Sequence, residues 1–291
     1  MINQYRHISI NYEQLDTLQF SSNEPFVLAI EWEGITYEFL IRIKSNSNKL
    51  LVLGSGAMNF NENRIPPPFF QRHSWINQLE GSVIYYNDPT LYLGNQLLVG
   101  WGQGTKDRYS LHDIAKIIEK LIRLTQVPSS NVLFYGSSAG GFMSLILAGH
   151  IKESKALVNS PQTCLTKWLK TPVKQVFDLS YPGLTIDEIM QQYPDRINVM
   201  RFFQKIKYVP EIHYLQNAYC EIDMKDHVIP FIEWLQSNGE KCVVNKVKFY
   251  FYYTIQPGPA VHPALGGHGA LDINSTIKYI NKIQNEHDFE N

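Results

Sequence analysis

The chain has 291 residues, 44% hydrophobic and 18% charged, so it can bury a large core and suits one α/β domain with insertions better than two separable ones. A formal net charge of -1 argues against a polyanionic partner such as nucleic acid. Cys164, Cys220 and Cys242 are too few and too widely spaced for a metal signature or a disulfide framework, which fits a reducing cytoplasm.

The opening residues, MINQYRHISINYEQLD, lack a basic n-region and an apolar h-region, and no run of about 18 apolar residues follows anywhere. The expectation is a soluble, unexported protein without an integral membrane segment, working in the cytoplasm or at the inner face of the membrane. Residues 25–43 form two strand-like runs around Glu33 and Gly34, the pattern of a hairpin, within an N-terminal β extension over 1–48. Lys49 to Leu53 is the short apolar run of a buried parallel strand, and it ends in Gly54, Ser55, Gly56 and Ala57. Such a tip lets backbone amides approach a ligand; it is also what an ordinary Gly-rich turn looks like.

Residues 60–75 carry three consecutive prolines and predict an ordered loop at the carboxyl edge of the sheet, with Arg64, Arg72 and His73 as candidate contacts to an acidic or hydroxylated ligand. Ser82 to Tyr86 is the next strand. Leu97 to Gly104 is a short run and a Gly-rich turn around Trp101, whose flat ring is either a core residue or the wall of a sugar pocket. Residues 110–124 place Leu111, Ile114, Ile117, Ile118, Leu121 and Ile122 at helical spacing.

The stretch NVLFYGSSAGGFMSLILAGH, residues 131–150, carries the chemistry. A β-branched and aromatic run meets Gly136, Ser138 and Gly140 in the G-x-S-x-G pattern and continues as an apolar helix. A nucleophile elbow needs small residues on both sides of the serine because the strand-to-helix turn is tight, and the helix amino terminus then favours an oxyanion. A structural Gly/Ser turn or a phosphate-binding loop are the other readings of the same residues.

Lys155 to Asn159 is a further strand, so the α/β alternation runs from about 49 to 160 and predicts a mostly parallel, doubly wound sheet. Residues 162–207 break the rhythm with Trp168, Tyr181 and helices over 185–193 and 195–206, consistent with a helical cap insertion. The sheet resumes at 210–216, a helix follows at about 228–237, Lys246 to Thr254 is the last strong strand, and a final helix spans 272–284.

A serine hydroxyl needs a base, and the base an orienting carboxylate. In the α/β-hydrolase order the acid follows a later strand and the histidine the last one. His268, in GGHGAL, is the candidate base, ahead of His262 and the tail residue His287. Asp223 is the candidate acid, Asp226 the alternative, and Glu221 lies in the same loop.

The segments LVLGSGAMN, RHSW, GWGQG, FYGSSAGGFMSLILA, YLQN and GGHG together resemble a branch of α/β-hydrolases from bacterial surface-polysaccharide loci. That branch includes capsule O-acetyltransferases, and the accessory secretion proteins of serine-rich adhesins are similar to it. The resemblance covers roughly residues 49–284. It implies Ser138 as nucleophile, Ala139 with Gly56 or Ala57 as oxyanion donors, and His268 as base. One departure is visible: about three residues past Gln216 and Asn217, where the acid is expected, this chain has Cys220.

Three functions follow as expectations. The first is acyl transfer to a glycan hydroxyl from acetyl-CoA, with Trp101 and Arg72 as substrate contacts and no metal. The second is an esterase of glycans or small esters using the same triad, and the third a non-catalytic scaffold in a polysaccharide or secretion assembly.

Overall fold

The computed structural model describes residues 4–20, 23–58, 65–255, 268 and 271–286. Its strands are β1 (Arg6–Asn11), β2 (Phe26–Trp32), β3 (Ile35–Arg42), β4 (Leu50–Leu53), β5 (Ser82–Tyr86), β6 (Val132–Ser137), β7 (Lys155–Asn159), β8 (Tyr208–Val209), β9 (Glu211–Asn217), β10 (Val243–Val244) and β11 (Val247–Tyr252). Nine of them form one sheet in the order β1-β2-β3-β5-β4-β6-β7-β9-β11, and β8 pairs with β10 apart from it. Only β3 runs against its neighbours, pairing antiparallel with β2 and β5. The β2–β3 hairpin is closed by Glu33 at φ 48° and Gly34 at φ 79°, the two positive angles a two-residue turn requires.

The period of two along each strand sorts the core into two layers. Leu50, Val52, Val132, Phe134, Ala156 and Val158 face one layer; Leu51, Leu53, Leu133, Tyr135 and Leu157 face the other. The first layer is covered by α1 (Ser110–Thr125) and α2 (Ala139–His150), the second by the segment containing Phe70, Ile76 and Leu79 and by α9 (Ile273–Asn285). In α1, Leu111, Ile114, Ile117, Ile118 and Leu121 are fully buried, each contributing roughly 2 kcal/mol of apolar burial. Helices on both faces of a mostly parallel sheet make this a doubly wound α/β fold.

Between β7 and β8 lie α3 (Lys170–Ser180), α4 (Ile186–Gln192), α5 (Pro194–Ile197) and α6 (Val199–Ile206). Gln103 joins this helical segment to the body: its Oε1 accepts from Tyr181 Oη at 2.7 Å and its Nε2 donates to the Arg196 carbonyl at 3.0 Å. After β9 come α7 (Glu221–Asp223), a π-helical turn (Met224–Val228) and α8 (Ile229–Asn238).

The structure departs from the sequence expectations at β1, at residues 195–206 and at α3. β1 was not foreseen and extends the hairpin by a parallel strand. The Leu97–Gly104 turn is gathered by the buried Asp88 carboxylate, which accepts from the Thr90 amide at 2.9 Å and the Gly102 amide at 2.8 Å. The helix expected over 195–206 is broken at Asn198, whose side chain caps α6 by accepting from Met200 and Arg201 amides. α3 was missed because Pro172 sits near its start, where a proline is tolerated, while Val173, Val176, Phe177 and Ser180 still bury one face.

The connection from β4 leads outward to β5, and β6 lies on the other side of β4. A crevice at such a reversal, outside the carboxyl ends of the strands, is where open α/β sheets bind ligands. The Gly54–Ala57 tip and Ser138 both occupy that edge.

Candidate active site

Ser138 follows β6 directly and caps α2 with φ 54° and ψ -121°, a strained combination for a residue with a side chain. Close packing enforces it. A Cβ on Gly136 would lie 2.2 Å from the Gly140 carbonyl group, and one on Gly140 would lie 2.5 Å from the Gly54 carbonyl oxygen. The G-x-S-x-G spacing is therefore the spacing at which the turn can touch both itself and the β4 tip. α2 begins at Ala139, so the Ala139 and Gly140 amides lie in its first turn, where backbone N–H groups have no acceptor within the helix.

The strands β9 and β11 deliver the partners to the same edge. Asp223 Oδ2 lies 2.6 Å from His268 Nδ1, with relative exposures of 0% and 5%. Burial pushes the Asp223 carboxyl up, but the charge and hydrogen bond of His268 outweigh it, and its pKa is lowered overall. The Cys220 thiol also hydrogen-bonds this carboxylate; burial first, then the adjacent charge, pushes the thiol up to about 12. Of the three acids in this loop, Asp223 alone is buried and meets His268, whereas Asp226 is partly exposed on the π turn and Glu221 faces solvent. His262 and His287, the other histidines considered, lie outside the described residues, as does Arg64.

Asparagines at the strand ends hold the two loops together. Asn217, last in β9, donates to the Thr254 carbonyl at 2.9 Å and accepts from the Thr254 and Tyr219 amides. Asn159, last in β7, accepts from the Leu271 amide and donates to Tyr252 Oη at 2.9 Å, fixing the chain just after His268.

The β4 side is equally tied. Gln71 Oε1 accepts from the Gly56 amide at 2.8 Å and from Arg72 Nη1 at 2.7 Å, while Arg72 Nη2 donates to Ser137 Oγ at 2.6 Å. The Arg72 guanidinium lies over the Trp75 and Tyr135 rings at 5.3 and 5.4 Å. Arg72 thus touches the residue beside the candidate nucleophile, and the Gly56 amide is engaged by Gln71. Ala57 follows on the same tip.

Trp101 is corrected by the structure. It was a candidate pocket wall, yet it is 0% exposed and packs edge-on against Trp168, with ring centroids 5.4 Å apart. A ring with no accessible face cannot stack on a sugar. Its indole instead donates to Gln162 Oε1 at 3.1 Å, and Gln162 Nε2 donates to Ser138 Oγ at 2.9 Å. Gln162, Asn159 and Gln71 are site residues that sequence reasoning passed over, and it met Asn217 and Cys220 only as a departure from the family pattern.

Among the described residues, two clusters bring three possible metal-ligating atoms within 4.8 Å: Cys220, Asp223 and His268, and Glu211, His213 and Glu286. In the first, the Cys220 thiol and the His268 ring both hydrogen-bond the Asp223 carboxylate, so the three atoms already satisfy one another. The second includes Glu211, first in β9, at the opposite end of the sheet, where Lys248 already pairs with Glu286 at 3.0 Å.

No family model matches the chain, and no curated protein matches it. Solved structures do. A capsule O-acetyltransferase of Neisseria meningitidis serogroup A, a histidine-to-alanine mutant in complex with CoA, is 15% identical with a TM-score of 0.63, covering 93% of this chain and 99% of its own. Acetyl xylan esterase 1 from a Thermoanaerobacterium species is 14% identical with a TM-score of 0.56, covering 97% of this chain and 96% of its own. A Glycosylation Associate Protein complex from Streptococcus agalactiae is 14% identical with a TM-score of 0.57, covering 91% of this chain and 46% of that one. At these identities the shared property is the fold. No helix of the described residues is long and apolar enough to cross a membrane.

Proposed function

We propose that the chain is a serine acyltransferase that moves an acetyl group from acetyl-CoA, through an acyl-enzyme on Ser138, to a hydroxyl of a bacterial surface or capsular glycan. The observation that carries this reading is the buried Asp223–His268 pair at the same sheet edge as the strained elbow of Ser138. The solved capsule O-acetyltransferase and its complex with CoA support the donor and the acceptor class. The 162–207 segment serves as a cap over a single α/β-hydrolase domain, and the protein works in the cytoplasm.

Asp223 holds His268 through Nδ1, so the other ring nitrogen, Nε2, is the base. His268 takes the Ser138 proton as Oγ bonds to the thioester carbon and the carbonyl electron pair moves onto oxygen. The Ala139 amide, with the Ala57 amide of the β4 tip, stabilises that charge, since the Gly56 amide already donates to Gln71. On collapse the carbon–sulfur bond breaks and CoA leaves as the thiol, carrying the proton from His268. A glycan hydroxyl then gives its proton to His268 and attacks the acetyl-serine, and the returning proton restores Ser138. Arg72, one residue's contact away from Ser138, orients the donor or the glycan.

With water in place of the glycan, the same residues form an esterase, and the acetyl xylan esterase among the structural neighbours favours this as the second reading. Incubation with acetyl-CoA and with an activated acetyl ester, across a panel of glycans, separates the two. Acetyl transfer requires that a glycan gain mass and that acetyl-CoA consumption rise with it. Acetyl release that no glycan alters would replace this reading with hydrolysis.

A further inference from the structure

We infer that Gln162 is a fixed side-chain donor on the nucleophile itself, supporting charge on Ser138 Oγ each time the serine–acyl bond forms or breaks. The inference rests on the reading of Ser138 as nucleophile and adds a residue to it. The orientation of the amide is chemically determined. An indole N–H only donates, so Trp101 Nε1 at 3.1 Å must face the Gln162 oxygen, and the amide nitrogen then points at Ser138 Oγ, 2.9 Å away. Trp101 is immobilised in the core and Gln162 is 0% exposed, so neither has water as an alternative partner.

The backbone on both sides of Gln162 is pinned as well. Ser160 turns the chain at φ 44° with its amide on the Leu215 carbonyl at 2.9 Å. Pro161 packs against the elbow so closely that a Cβ on Gly141 would meet it at 2.7 Å. The Thr163 amide donates to His227 Nδ1 at 3.2 Å. A donor held this way costs no reorganisation during reaction.

Its chemical consequence is specific. Because Oγ accepts from Gln162, the hydroxyl proton is free to be given to His268. During acylation Oγ gives up that proton and bonds to carbon. During deacylation the Oγ–carbon bond breaks, the pair returns to Oγ, and His268 reprotonates it. In both directions the amide N–H offsets negative charge on Oγ without taking part in proton transfer.

The test measures the pseudo-first-order rate of labelling by a fluorophosphonate across pH 5 to 9, with saturation giving the rate and affinity separately. The proteins are the full-length wild type, Gln162→Ala, Gln162→Glu and Trp101→Phe, each checked by thermal unfolding. Gln162→Ala is expected to lower the maximal rate about 100-fold with unchanged probe affinity. In Gln162→Glu the introduced carboxyl donates to Oγ only when protonated, so its rate relative to wild type should rise as pH falls. Trp101→Phe frees the amide to flip and should give a smaller loss of about tenfold with Gln162 still present. A Gln162→Glu ratio flat across pH, or Gln162→Ala labelled at the wild-type rate, would overturn the inference while leaving Ser138 as nucleophile. Absence of labelling in the wild type would overturn both.

Discussion

His268 Nδ1 and Asp223 Oδ2 lie 2.6 Å apart although 45 residues separate them in sequence, and both are buried at the carboxyl edge of the sheet. An amide at position 223 would hold the imidazole in the wrong tautomer without disturbing its packing. Asp223→Asn is therefore expected to cut acetyl turnover by about 10⁴-fold with little change in substrate affinity. Asp226→Asn, altering a partly exposed side chain on the π turn, should stay within about threefold of wild type. Steady-state kinetics of the two purified variants check both. Equal losses would assign the acid role elsewhere.

The elbow makes a stability prediction independent of catalysis. Gly136→Ala would place a methyl group 2.2 Å from the Gly140 backbone, and backbone on both sides has nowhere to move. The expected cost is about 3 kcal/mol or more, read from the urea midpoint. Gly239→Ala is the control: it has an α-helical φ of -56° and open space around its Cβ position. It should be neutral or stabilising by about 0.5 kcal/mol.

Much of this arrangement was legible in the sequence. The run from Val132 to His150 states both its secondary structures and its turn, because glycines at 136 and 140 bracket a serine between a β-branched and aromatic run and an apolar one. The hairpin around Glu33 and Gly34, and the strands at Ser82–Tyr86 and Lys155–Asn159, emerged at or near their structural bounds because short apolar runs between turn residues are distinctive. The supports were not legible. Gln162, Asn159 and Asn217 are single polar residues just past or at strand ends, and nothing local distinguishes one that braces a loop from one that faces water. Trp101 failed for a related reason: a glycine-rich turn suggests an exposed loop, whereas buried Asp88 folds this one into the core.

His227, on the π turn beside Asp223, sets an acid limit on the fold. Burial is the leading cause that lowers its pKa from 6.5 to about 4, so the folded state keeps it neutral. Above pH 6.5 neither the folded nor the unfolded chain protonates it and it contributes nothing to pH dependence. Between pH 6.5 and 4 the unfolded chain binds the proton first, so stability falls as pH falls, by about 3 kcal/mol at most from this group. Urea unfolding of wild type and His227→Gln at pH 7.5 and 4.5 should show a smaller acid loss in the variant. An identical loss in both would locate the acid sensitivity in other groups.

Whether Ser138 carries an acyl group is read from the intact mass of the protein after brief exposure to acetyl-CoA and an acid quench, with peptide mapping of the adduct. One acetyl group on Ser138 is expected, absent in Ser138→Ala and His268→Ala, retained in Ser137→Ala, and discharged when the acceptor glycan is added before the quench. An adduct that persists in Ser138→Ala, or maps to Ser137, would contradict that assignment.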